Sequence, residues 1–444
     1  CIPLAMVDPD FAKKQLILML REWYMAPNGQ IPAYEWNFSD VNPPVHAWAS
    51  MQVYLMEKKQ QGSGDISFLK RVFQKLMINF TWWVNQKDAN GNNVFEGGFL
   101  GLDNIGVFDR SSEIPGGGHL EQADGSAWMA TYALNLMEMA LEISLVDPDF
   151  EDVATKFFEH FTLIAHALNH RGQKDFALWD EKEGLYFDLL ILPGGEEEMI
   201  RVRSLVGLAP MFAVSIVRKE QQQKLKDFMR RMSWFRRHKL KDEEMTMLAQ
   251  ETENEDILLS IVSPKKLRRV LHAMLDEKEF LSPYGIRSLS KIHEKIPYKM
   301  QVNEQVYSIR YQPGESDTNM FGGNSNWRGP VWFPMNYMLI EALMTYHDYL
   351  GDDFRVAFPT GSRNMLNLAE VAREISLRLI KLFEKDKNGK RPVYPKKDFH
   401  HRDPYSQDLI LFYEYFHGDN GRGVGASHQT GWTGLVANLI DRFA

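Results

Sequence analysis

Stretches of helical length fill most of this sequence, and the loops between them are too long and too aromatic to be plain connectors. That alternation restricts the chain to packed helices with chemistry carried between them. Two stretches open with the same text, Val7-Asp8-Pro9-Asp10-Phe11 and Val146-Asp147-Pro148-Asp149-Phe150. An Asp there can accept from the free N–H groups of a first helical turn, Pro tolerates the position where an N–H would be orphaned, and a second Asp suits the helix dipole. Ser263-Pro264 repeats this chemistry before Lys265 to Leu275. Further apolar-periodic stretches run Val45 to Lys59, Phe68 to Gln86, Glu121 to Leu145, Val331 to Leu350 and Leu366 to Glu384. Strand-like text is confined to Leu185 to Ile191 and Val306 to Arg310, with no βαβ rhythm. The expectation is an all-α chain of about ten long helices stacked as hairpins.

Composition narrows the partners. The 444 residues carry 51 basic and 59 acidic side chains, a net charge of -8, so the basic footprint that polyphosphate backbones require is missing and no nucleic acid is expected. The apolar segment Ser204 to Val217 holds only 14 residues and includes Pro210, whereas a membrane span needs about 20. It reads as buried core, and no membrane partner is expected. A single cysteine, Cys1, cannot form an internal disulfide, which favours a reducing, cytoplasmic compartment. The text Cys1-Ile2-Pro3-Leu4 already reads like the interior of a folded unit.

Four loops concentrate the aromatic and glycine residues: Pro27 to Pro44, Gly91 to Gly118, Tyr311 to Pro330 and His417 to Thr430. Loops of this length inside a domain are functional or disordered, and their Trp, Tyr and Phe content argues for order with function. The charged connectors Gly194 to Met199 and Lys385 to Lys397 read as solvated surface.

Asp103 sits in Gly97-Gly98-Phe99-Leu100-Gly101-Leu102-Asp103-Asn104, one carboxylate between apolar residues and flexible backbone. Partial burial would raise its proton affinity toward that of a general acid, while an Asp in a loop equally serves as a turn cap. Glu414 stands in the aromatic run Phe412 to Phe416, suited either to a base that activates water beside a sugar ring or to the solvent face of a strand edge. Trp327, Arg328 and Trp332 precede one helical stretch and Trp432 another, and Tyr34 and Trp36 mark an earlier loop. Indoles and a guanidinium fork match sugar faces and hydroxyls, although Trp at a helix start also serves as a core plug. There is no HExxH, P-loop, CxxC or GxSxG text, and His119, His400-His401 and His428 lack ligand spacing, so neither metal nor cofactor is expected.

Taken in order, Gly101-Leu102-Asp103-Asn104, Asn326 to Trp332, and Tyr413-Glu414-Tyr415 leading to Gly423, Gly425 and Gly431-Trp432-Thr433 resemble glycoside hydrolase family 63. The likeness is closer to its mannosylglycerate hydrolase-like branch than to the processing α-glucosidase. It covers nearly the whole chain and implies a single catalytic domain over residues 1–444: a toroid of six helical hairpins, an (α/α)6 barrel, with long loops and a few short strands on its active-site face. The first helix of that barrel would lie before Cys1. The resemblance assigns Asp103 as general acid and Glu414 as general base. Tyr34, Trp36, Asn104, Glu121, Trp327, Arg328, Trp332, His428 and Trp432 would then bind substrate, with Glu121 the runner-up for the acid. Ile105-Gly106-Val107-Phe108-Asp109-Arg110 departs from the text of the processing enzymes and weakens the case for their triglucosyl substrate.

The expected function is an inverting, exo-acting hydrolase of α-linked glucosides or mannosides in a small saccharide or glycosylated acid. One alternative is a carbohydrate-binding protein that kept the pocket and lost catalysis, against which both carboxylates stand. Another is a lyase or epimerase using Tyr or His as base. Sequence leaves the sugar, its linkage and the oligomeric state open.

Overall fold

The helix from Ala123 to Ser144 is buried along nearly its whole length, although Asp124, Thr131, Asn135, Glu138 and Glu142 recur at helical spacing along one face. A helix buried on every side has to be enclosed by other elements, and the polar side chains it carries need partners inside the protein. In this computed structural model, which describes residues 1–34, 40–88, 90–170, 177–239, 249–251, 256–318, 320 and 325–444, the chain forms two compact units. The first comprises Cys1–Gly101, His119–Met199 and Ala209–Leu267, and the second Leu102–Gly118, Ile200–Leu208 and Arg268–Ala444.

In the first unit, helices His46–Gln61, Ile66–Gln86 and Glu151–Asn169 pack around the central helix. Several buried polar groups are bonded to one another. The Tyr132 hydroxyl donates to Asn79 Oδ1 at 3.0 Å, and the Tyr54 hydroxyl to Glu142 at 2.7 Å. Lys13 Nζ meets Glu57 at 2.6 Å, a pair that satisfies two charges burial would otherwise penalise. The twin Asp-Pro entries diverge here. Asp8 accepts from the Phe11 N–H at 2.9 Å and opens helix Pro9–Met19. Asp147 gives its carboxylate to Lys70 at 2.7 Å instead, and a 3-10 turn, Pro148–Phe150, precedes the helix.

The second unit is built on helices Phe333–Leu350 and Leu368–Ile380, which pack on each other. Asn367 opens the latter with a reciprocal cap, accepting from the Glu370 N–H at 2.9 Å while its own N–H donates to the Glu370 carboxylate at 2.8 Å. Around them lie short antiparallel hairpins, among them Tyr298–Val302 with Gln305–Ile309 and Tyr415–Phe416 with Gly423–Val424.

The structure is therefore mostly helical, at 46% helix, with short strands of two to five residues, most of which lie where the sequence shows only loops. Backbone groups held away from water need partners, and loops of this length find them in each other. Segment Ser204 to Val217 is buried apart from Ile216, as two 3-10 turns and a strand. Among the described residues, no helix is long and apolar enough to cross a membrane.

Candidate active site

Asp103 and Glu414 both belong to the second unit, on segments tied to a single strip, Ser325 to Val331. Asn104, fully buried, links the Asp103 loop to that strip. Its Oδ1 accepts from the Trp327 N–H at 2.6 Å, its Nδ2 donates to Asn326 Oδ1 and to the Ser316 hydroxyl at 3.2 Å each, and its carbonyl accepts from Arg328 Nε at 2.7 Å. Arg328 also donates to the Gly106 carbonyl at 3.1 Å. On its other side the strip exchanges backbone hydrogen bonds between Val331 and Phe416, at 2.8 and 3.0 Å. Gly329 makes this approach feasible: its φ is +141°, and a Cβ there would meet the Tyr311 ring at 2.6 Å.

Asp103 is half-buried and accepts from the Ser325 hydroxyl. Burial raises its proton affinity, the Ser325 bond partly opposes that, and the negative charges of Glu414 and Asp109 add to the rise, leaving the carboxyl at about 6. Asp109 itself caps a turn, accepting from the Ser111 N–H at 2.9 Å and the Ser112 hydroxyl at 2.8 Å.

Glu414 is held from several directions. Its N–H donates to the Ala426 carbonyl at 2.9 Å, and its Oε2 accepts from the Ala426 N–H at 3.0 Å. The turn Gln429 to Thr433 bonds three successive carbonyls: Phe412 from the Gln429 N–H at 2.6 Å, Tyr413 from the Thr433 hydroxyl at 2.6 Å, and Glu414 from Trp432 Nε1 at 2.9 Å. Gly425, at φ +74°, lies so close that a Cβ would come within 2.5 Å of Glu414 Oε2.

The aromatic residues divide into support and surface. Trp332 is 1% exposed and sandwiched, with Trp327 on one side at 3.8 Å between centroids and 7° between planes, and Tyr415 stacked on it at 4.6 Å and 18°. The expectation of a sugar-walling Trp332 meets a ring with both faces covered, whose Nε1 donates to the Asn326 carbonyl at 2.9 Å. Trp327 is 4% exposed, while Trp432 is half-buried and His428 exposed. Asn104 and Arg328 spend the polar groups named above on the protein itself, which gives them a bracing role in this conformation.

Tyr34 and Glu121 belong to the first unit. Tyr34 is half exposed, with its hydroxyl on Asp40 at 3.0 Å, and Glu121 is buried on strand His119–Glu121 opposite Leu189. Trp36 lies outside the described residues. Sequence reasoning missed Ser325, the Tyr415 ring and the bidentate Glu315–Arg422 pair at 2.8 Å, whose charges reach the Tyr415 hydroxyl together with those of Glu414 and Asp103. Ser325 directly precedes the quoted Asn326 run, the one signal that could have exposed it.

The model of the mannosylglycerate hydrolase MGH1-like glycoside hydrolase domain matches residues 1–241 and 257–433. The chain belongs to these family 63 glycoside hydrolases. A Saccharomyces cerevisiae relative, named uncharacterized protein YMR196W, is 51% identical over 455 residues, covering 99% of this chain and 42% of that protein. The mannosyl-oligosaccharide glucosidase of the same yeast is 27% identical over 180 residues, 40% of this chain and 15% of that enzyme. The family 63 chain thus spans less than half the length of these curated relatives. Among solved structures, a family 63 mannosylglycerate hydrolase from Thermus thermophilus, in complex with Tris and D-glycerate, aligns with a TM-score of 0.55 at 15% identity, covering 99% of this chain and 91% of the other. At that identity the likeness concerns the fold.

Proposed function

We propose that this chain is an inverting, exo-acting hydrolase of α-linked glucosides or mannosides, with Asp103 as general acid and Glu414 as general base. The observation that carries the reading is the paired asymmetry of the two carboxyl groups. Asp103 holds its proton up to about 6, through burial and the charge of Glu414, while the Glu414 carboxylate accepts from the Ala426 N–H and its main-chain carbonyl from the Trp432 indole. A carboxyl group that burial keeps protonated toward neutral pH, within reach of the charge of a second, oriented carboxylate, fits the acid and base pair that sugar hydrolysis needs.

In this reading the protonated Asp103 donates to the glycosidic oxygen as the bond to the anomeric carbon breaks. Glu414 takes a proton from the water attacking that carbon on the opposite face, and no covalent intermediate forms. The carboxyl groups would then stand about 6.5 to 9.5 Å apart, leaving room for the water. Trp432 holds the Glu414 carbonyl through its indole N–H, and the Trp327–Trp332–Tyr415 stack stiffens the backbone next to Glu414. The (α/α)6 toroid, with a pocket on its loop face, is the architecture we infer, supported by the family model and the Thermus fold likeness. A small saccharide or glycosylated acid is the proposed substrate class, and the single cysteine supports a cytoplasmic location.

The test is hydrolysis of a panel of glucosyl- and mannosylglycerate and α-linked disaccharides, followed by proton NMR from the first seconds. Release of the β-anomer first, with turnover lowered about a thousandfold or more in Glu414→Gln at unchanged circular dichroism, is the expected result. First release of the α-anomer would refute inversion, and wild-type turnover in the variant would remove Glu414 from the mechanism.

A further inference from the structure

The connector from residue 385 to 397, which reads as solvated surface in the sequence and is largely exposed, also lines a cleft of about 570 Å³ in the second unit. That volume lies in the range that holds small-molecule ligands, roughly 300 to 1,000 Å³. Lys390, Arg391, Lys396 and Arg422 contribute four cations to its lining, in a chain whose net charge is -8. The acidic residue in that lining, Asp386, gives its carboxylate to backbone N–H groups of its own loop, those of Asn388 at 2.8 Å and Lys390 at 2.9 Å. Arg422 is shared with Glu315, and Arg391 is anchored by one donor on the Phe383 carbonyl, while its buried Nε finds no hydrogen-bond partner among the described residues. A surplus of cations therefore faces the space. Tyr284 and Tyr394 wall it, and the Tyr394 ring is fixed by stacking on His400 at 4.4 Å.

We propose that this cleft binds a phosphomonoester carried on a small sugar or polyol. A phosphate at neutral pH carries about -1.5 to -2 charges and three strong acceptor oxygens, which matches lysine ammonium groups beside an arginine fork better than a lone carboxylate would. Tyrosine rings together with the Asn388 and Asn420 amides suit a polyol, where a bare ion site would need neither. A compact, half-open cleft with two tyrosines in its lining also differs from the extended basic stripe that nucleic acids require. Neither Asp103 nor Glu414 lines this cleft, although Arg422 borders both regions, and the proposal does not depend on the hydrolase reading. The two share one stretch of backbone: the Gly423 N–H donates to the Val393 carbonyl at 2.8 Å, and Gly423–Val424 pairs with Tyr415–Phe416 beside Glu414.

Isothermal titration of the whole chain at low ionic strength with glucose 6-phosphate, inorganic phosphate and glucose tests the assignment. Glucose 6-phosphate is expected to bind saturably and at least about tenfold tighter than inorganic phosphate. The double variant Lys390→Ala/Lys396→Ala, at two exposed positions, should weaken that binding about tenfold or more, because two charge-assisted contacts are removed. A charge-matched control, Lys14→Ala/Lys59→Ala, and the active-site variant Glu414→Gln should leave it unchanged. Absence of saturable binding would overturn the proposal, as would equal weakening by both lysine pairs, which would mean diffuse charge attraction. Loss of binding in Glu414→Gln would move the ligand to the catalytic pair, and equal affinity for phosphate and glucose 6-phosphate would show that the tyrosine walls contribute nothing. Either result refutes the assignment.

Discussion

Replacing Asp103 by Asn should stabilise the protein at neutral pH while abolishing catalysis. The carboxyl group is held at about 6 against an ordinary value of 3.8, so the folded state grips its proton more tightly than the unfolded chain does. Below about pH 4 the group is protonated in both states and costs nothing. Between 3.8 and about 6 the unfolded chain releases the proton first, so stability falls as pH rises, and above 6 the full penalty stands. Taken at face value, the gap is worth about 3 kcal/mol at about 1.4 kcal/mol per pH unit. Asp103 is only half-buried, and water screens the penalty, so about 1 to 2 kcal/mol is the magnitude to expect. Asn keeps an oxygen for the Ser325 hydroxyl and removes the charge. Urea unfolding of wild type and Asp103→Asn at pH 4.5 and 7.5, with the difference between the two pH values as readout, measures the effect. In parallel, the wild-type kcat should fall as pH rises through about 6, the range in which the acid loses its proton. An Asp103→Asn protein no more stable than wild type at pH 7.5, or equally stabilised at both pH values, would refute the argument that burial and the Glu414 charge raise this group.

Three further perturbations follow from the same geometry. Gly425→Ala places a Cβ within 2.5 Å of Glu414 Oε2 at a φ of +74°, and should cost about 1 to 3 kcal/mol and lower kcat about tenfold to a hundredfold, read by unfolding and steady-state kinetics. Asn104→Ala strips the Trp327 N–H of its buried partner, at about 1 to 3 kcal/mol, while Asn326 Oδ1 keeps the Arg328 N–H, and by releasing the Asp103 loop should lower kcat about a hundredfold with a smaller change in KM. Lys13→Ala leaves Glu57 buried without its ammonium partner and should destabilise the first unit by about 3 to 5 kcal/mol, while the pH dependence of kcat stays as in wild type.

Local text was enough to place the long helices and the family. Phe68 to Gln86 and Val331 to Leu350 differ from the observed Ile66–Gln86 and Phe333–Leu350 only at their starts, because apolar periodicity and Asp or Pro entries act within a few residues. The same locality limits the reading. Identical text at Asp8 and Asp147 gives a capped helix in one place and, in the other, an ion pair with Lys70, a residue 77 positions away. Trp332 and Trp432 read alike at two helix starts. Tertiary packing separates them, sandwiching the first between Trp327 and Tyr415 and leaving the second half-buried.

The sequence by itself determined that Asp103 lies among apolar and glycine residues and Glu414 among aromatic ones, the raw material for one raised and one oriented carboxyl group. Only the tertiary structure decided that residues more than two hundred positions apart, Asn104 and the 325–328 strip, would lock together, and that the charge of Glu414 would reach Asp103. The physical reason is that burial and Coulomb interaction depend on distance through space, and no spacing along a chain encodes that distance.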